Sequence, residues 1–156
     1  MNQDFDSWLR ELSKLVAAAL ADFTGIVGDE DEMEMFAVDC HPWNGGVFLA
    51  FLTRAELTED PLLSEPSEMA AWKYYDFAEG LPSWQAISEI GSQMKTAYKI
   101  AGDRAEFVRM SLQTCAMAIA SDDVQNELAK FRLTKRFKIT VPHPDSNLDY
   151  FPPNSA

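Results

Sequence analysis

Two apolar stretches flanking a turn sequence constrain this chain more than any other feature. Met33-Glu34-Met35-Phe36-Ala37-Val38-Asp39-Cys40 and Val47 to Thr53 have strand composition, and His41-Pro42-Trp43-Asn44-Gly45-Gly46 lies between them. Asn-Gly is a strong hairpin signal because both residues tolerate positive φ. Residues 34–53 therefore read as a β-hairpin near the centre of a sheet.

Helical periodicity surrounds the hairpin. Phe5, Trp8, Leu9, Leu12, Val16, Leu20 and Phe23 recur at spacings of three and four, which predicts an amphipathic helix with Asp6 as N-cap and Thr24-Gly25 as its stop. Trp84, Ile87, Gly91, Met94, Tyr98 and Ala101 predict a second helix, capped by Ser83 and ended by Gly102. Asp103 caps a third, over 104–120, and a short helix is expected around 123–131. Residues 56–66 hold two prolines and read as a surface loop. After it, Ser67 is placed to cap a short helix over 68–75, although the aromatic run Trp72 to Phe77 suits an extended segment equally well. Lys135 to Val141 alternates polar and apolar, the pattern of a half-exposed edge strand guarded by lysine.

The order helix, hairpin, loop, helices, strand predicts an α+β fold in which a small antiparallel sheet is covered on one face by helices. At 156 residues the chain matches one ordinary domain, which at this size buries roughly 68–70% of its unfolded surface. That domain is expected over 1–145. Prolines 142, 144, 152 and 153 leave an irregular tail over 146–156, apart from docking of Tyr150 and Phe151.

Composition narrows the function classes. With 47% apolar and 12% aromatic residues the chain is not disordered. Its apolar stretch Val47 to Leu52 falls far short of the ~20 residues of a membrane helix. Cys40 and Cys115 read as buried free thiols. With no basic and apolar leader pattern, a cytoplasmic location is expected. The net charge is −12, and residues 1–103 hold 19 Asp and Glu against 6 Lys and Arg. Such a field repels nucleic acid and anionic lipid, and it attracts basic partners.

Motifs for chemistry are sparse. No P-loop, GxGxxG or GxSxG occurs, and no cofactor is expected. The two histidines follow strand-like segments, at Cys40-His41-Pro42 and Pro142-His143-Pro144. If those strands are neighbours, Asp39, Cys40, His41, His143 and Asp145 gather as possible metal ligands. No CxxC, HxxxH or HxH spacing pre-places any pair of them, so solvated loop histidines are the preferred reading. A Cys40–His41 nucleophile is geometrically poor, because adjacent strand residues point to opposite faces. Lys130, Arg132, Lys135, Arg136 and Lys138 read as a solvated strand face or as ion-pair partners of the acidic run 29–34.

The preferred function is a non-enzymatic acidic binding protein for a basic protein partner. Its expected binding residues are Trp72, Tyr74, Tyr75 and Asp76, aromatic anchors with an acidic rim, together with Asp29, Glu30, Asp31 and Glu32. Core packing is the default role for the aromatic segment. The acidic run is expected to be exposed and mutually repulsive, unless it pairs internally. The alternative is a small-molecule or metal-dependent enzyme with a site near Cys40, His41 and His143.

The first helix, the Phe-Ala-Val hairpin, Trp72-Lys73-Tyr74-Tyr75-Asp76-Phe77 and two long helices together resemble an uncharacterised family of small acidic bacterial cytosolic proteins. In spirit the chain is similar to immunity factors against polymorphic toxins. That resemblance implies toxin neutralisation by surface complementarity, with no catalytic residues.

Overall fold

The computed structural model describes residues 2–153, with side chains from Asp4 onward. The element order is α1 (Asn2–Val27), β1 (Met33–His41), β2 (Gly46–Thr53), α2 (Arg54–Glu59), β3 (Tyr74–Tyr75), α3 (Ile87–Ile100), α4 (Arg104–Ile119), α5 (Asp122–Leu128) and β4 (Leu133–Thr140), with 3-10 turns at Pro61–Ser64, Pro66–Ala71 and Pro82–Trp84. It is a single-domain α+β fold, with the hairpin at the centre of a four-stranded sheet ordered β3-β2-β1-β4.

The sheet is mixed, which corrects the antiparallel expectation. β1 pairs antiparallel with β2, but it runs parallel to β4, with Met35 opposite Lys138 and Ala37 opposite Thr140. Parallel neighbours need a long crossover, and α2 to α5 all lie between these two strands. The hairpin pattern was local and readable; the direction of β4 depended on where that crossover delivered the chain.

On the first face, Met33, Phe36, Val38 and Cys40 of β1 meet α1, α3, α4 and α5. Phe23 and Phe77 stack at 4.2 Å between ring centroids, and Phe51 sits 5.0 Å from Phe36 and 4.8 Å from Phe131. Each fully buried ring contributes roughly 1.5–3 kcal/mol. Trp8 Nε1 donates to Gln93 Oε1 at 2.8 Å, tying α1 to α3.

The second face is also covered, a further correction. Met69 and Trp72 lie over Met35, Ala37, Ala50 and Leu52, with Leu57 and Leu63 alongside. The cover joins the segment expected to be a surface loop, 56–66, to the start of the one expected to be a short helix, 68–75, which forms a 3-10 turn at Pro66–Ala71 instead. Thr53 and Glu56 form a capping box that starts α2, and Asp60 caps the following turn through Leu62 N–H. Glu56 then accepts the backbone N–H of Lys73 at 2.6 Å, closing the segment on itself.

Helix ends differ from expectation where packing outweighed local signals. α1 starts before Asp6 and runs through Thr24-Gly25 to Val27, because Phe23 and Val27 both reach the core. Gly28, at φ +56°, ends it. Ser83 sits inside a 3-10 turn and caps nothing, and α3 begins only at Ile87. The aromatic run takes the extended alternative at Tyr74–Tyr75. Asp103 caps α4 as expected, donated to by Glu106 N–H.

Residues 141–151 fold back on β4. The Asp149 carboxylate accepts from Thr140 Oγ1 at 2.8 Å and Val141 N–H at 2.9 Å, and Tyr150 N–H donates to Val141 O. Tyr150 and Phe151 dock against the core. Residues 154–156 of the expected tail lie outside the described residues.

Candidate functional site

Because β1 and β4 are parallel, their C-terminal ends emerge side by side, and both histidines follow. A cleft of about 460 Å³ opens there, lined by Asp39 and His41 of β1, by Glu65, Pro66, Ser67, Met69 and Ala70 of the second-face cover, and by Pro142 to Asn147 beyond β4. Open α/β sheets place ligands outside the carboxyl ends of parallel strands for the same geometric reason.

A hydrogen-bonded relay links two of the lining residues, Asp39 and His41, to Tyr75. His41 Nε2 donates to Asp39 Oδ1 at 2.8 Å, and Tyr75 Oη donates to Asp39 Oδ2 at 2.7 Å. Burial pushes the Asp39 carboxyl up, but the hydrogen bonds from His41 and Tyr75 outweigh it and hold Asp39 below its ordinary value. The bond to Asp39 raises the His41 imidazole against the opposing effect of burial, and the nearby Asp145 charge adds to the rise. Tyr75 is raised by burial first and by Asp39 second, so its phenol stays a donor. Beyond β4, Asp145 N–H donates to His143 Nδ1 at 3.0 Å, which leaves Nε2 as the protonated nitrogen of the neutral ring.

The two histidines converge on one cleft, as the alternative reading required, but Cys40 does not join them. It is fully buried on the first face, beside Met94 Sδ at 3.9 Å, with Cys115 as hydrogen-bond partner. Both thiols are free and buried, as expected from the sequence. Among the described residues, no group of three or more His, Cys, Asp or Glu is placed to hold a metal ion.

The expected binding residues fall into separate environments. Trp72 is 3% exposed and belongs to the core, its Nε1 donating to Leu63 O. Tyr74 and Tyr75 are half-buried and spend their hydroxyls on Asp31 and Asp39. Asp76 has φ +56° and lines a separate cleft of about 310 Å³ with Phe48, Glu79 and Trp84. Its carboxyl is pushed up to about 6 by burial and then by the neighbouring Glu79.

Asp29 and Glu30 are exposed, while Asp31 and Glu32 are engaged internally. Asp31 accepts from Tyr74 and Lys73, and Glu32 pairs with Arg54 at 3.1 Å. Among the described residues the run forms no ion pair with the basic side chains of 130–138: Arg132 reaches the Asp29 carbonyl, Lys130 pairs with Glu127, and Glu34 accepts instead from Thr134 Oγ1 at 3.2 Å. Mutual repulsion does not dominate at Asp31 either, whose carboxyl is held below its ordinary value, chiefly by the Tyr74 hydroxyl.

Sequence reasoning placed Glu65 only in the acidic rim of the aromatic segment and missed the Tyr75 bond to Asp39, since the first depends on how the cover crosses the sheet and the second on β3 pairing with β2. The Thr53-x-x-Glu56 signature of the cover's first helix was present and could have been read. No helix among the described residues is long and apolar enough to cross a membrane. No protein-family model, curated protein or solved structure matches the chain.

Proposed function

We propose that this chain is a non-enzymatic, immunity-like acidic binding protein of the cytosol that neutralises a basic protein partner through the acidic cover on its second face. The observation that supports this reading is the placement of charge. Residues 29–34 and 54–79 hold twelve of the 25 carboxylates against two basic residues, Arg54 and Lys73. Glu59, Asp60, Glu65 and Glu68 are exposed on that cover, around Leu62 at 65% exposure. An apolar anchor ringed by like charge suits a partner of opposite charge, through attraction at long range and exclusion of water at contact.

Capture from the native host at low salt and at about 0.5 M salt tests this, because screening weakens exposed charge pairs. The expected result is one basic protein, retained at low salt, released at high salt, and lost when Glu59, Asp60 and Glu68 are all changed to Lys. A partner indifferent to salt and to that triple variant would overturn the reading.

A second reading, a small-molecule or metal-dependent enzyme at the cleft, is favoured by the His41–Asp39–Tyr75 relay, which gives one imidazole a fixed tautomer and a raised pKa. Elemental analysis of untagged protein tests its metal form, and a content well below one equivalent removes it.

A further inference from the structure

The cleft at the exits of β1 and β4 is polar, walled and unfilled by the chain's own side chains. We propose that it binds an organic cation, a guanidinium or alkylammonium group carried on a flexible stem.

Charge is the first argument. Three carboxylates line the cleft, Asp39, Glu65 and Asp145, and no Lys or Arg does. Available acceptors are the second. Each Asp39 oxygen has one donor and keeps a further lone pair, while Glu65 and Asp145 accept no side-chain hydrogen bond from a described residue and stand at the exposed rim.

Rigidity is the third argument. Pro66, Pro142 and Pro144 stand in the walls with fixed φ. The turn carrying His143 and Asp145 is closed by His143 N–H to Leu148 O at 2.8 Å and anchored by Asp149. Little ordering is left to oppose binding. The volume, about 460 Å³, lies within the ~300–1,000 Å³ of small-molecule clefts. The carboxylates and imidazoles do not converge on one point, so a charge spread over several N–H donors fits them better than a metal ion does.

The cation has two sources, a basic side chain of a protein partner or a free polyamine. The first deepens the proposed function and rests on it; the second stands without it. The experiment is a titration at pH 8 watched through the ring C–H resonances of His41 and His143, both of which line the cleft. The probes are N-acetyl-arginine amide, spermidine and, as the neutral isostere, N-acetyl-citrulline amide.

Saturable shifts of both rings with the capped arginine support the side-chain source. Shifts with spermidine alone support the free polyamine, and shifts with both support the shared chemistry. Citrulline amide is expected to leave the rings unmoved, and Glu65→Gln with Asp145→Asn to weaken cation binding by about tenfold or more. Both substituted residues are exposed, and an unchanged melting temperature confirms the fold of the double variant. Cations that move the rings no more than matched sodium chloride, citrulline binding as tightly as arginine, or a double variant that binds unchanged would each overturn the proposal. The Glu59, Asp60 and Glu68 reversal leaves the cleft residues in place. Loss of the partner with ring shifts retained therefore sinks only the earlier reading.

Discussion

Gly45 and Gly91 meet backbone to backbone, fastening the hairpin turn to helix α3. A Cβ at Gly91 would collide with the carbonyl oxygen of Gly45, and one at Gly45 would collide with that of Gly91. Both contacts are with main chain, which cannot rotate away. Gly45 also sits at φ +78°, where a side chain is strained whatever the space.

Gly91→Ala is therefore expected to destabilise the fold by about 1–3 kcal/mol, the range for an overpacked interior, even though alanine is the better helix former. Urea unfolding measures it. A neutral or stabilising result would show that α3 moves away from the turn without cost. Gly45→Ala should cost more, since steric conflict and positive φ act together.

Asp31→Asn should lower the melting temperature by about 2–4 °C, which corresponds to about 1 kcal/mol in a domain of this size. Most of the loss comes from weakening the bond that the Tyr74 hydroxyl donates to the carboxylate, because the Lys73 ammonium is 55% exposed and contributes little. The Asp31 carboxyl is held below its ordinary 3.8 in the folded protein. Its contribution is then present above that value and lost as pH falls through the lower folded value. The gap between wild type and variant, followed by thermal unfolding from pH 7 to pH 3, should close in acid. A rise in melting temperature at pH 7 would mean that the run 29–34 is repulsive after all.

His41 should titrate above its ordinary 6.5, and Asp39→Asn should bring it down. A group whose folded pKa is raised stabilises fully below its unfolded value, and this stabilisation is lost as pH rises through the folded one. Wild type should therefore lose stability relative to His41→Gln as pH rises from 6 toward 9. Proton NMR of the His41 ring gives the titration, and thermal unfolding gives the linkage. An unshifted ring in wild type would mean that the 2.8 Å contact with Asp39 does not persist in solution.

Cys40 and Cys115 should resist thiol reagents in the native protein and react fully once it unfolds. Both are buried, and the Cys40 thiol is pushed up by its hydrogen bond with Cys115 and then by burial, so little thiolate forms. Reaction with Ellman's reagent, with and without denaturant, provides the measurement. Rapid native labelling would show that α4 and β1 separate readily.

What was local in the sequence was legible. The hairpin follows from two apolar stretches of strand composition and an Asn-Gly turn, and α1, α3 and α4 follow from spacings of three and four, because those patterns are set within each segment. Helix ends were less secure: Thr24-Gly25 carries a stop signal, but burying Phe23 and Val27 on one continuous helix outweighs it.

The sequence by itself determined the α+β class, the central hairpin, the buried thiols and the crowding of acidic residues into the first two-thirds of the chain. Only the tertiary structure decided that β4 runs parallel to β1, that residues 54–72 cover the second face, and that Asp31 faces Tyr74 and Lys73 rather than solvent alone. The cleft depends on the first two of these. His41 and His143 stand about a hundred residues apart in the chain, and no pattern within either segment says which end of the sheet the other will reach. That is fixed by the direction in which the crossover returns the chain, a property of the packed helices and not of any local run of residues.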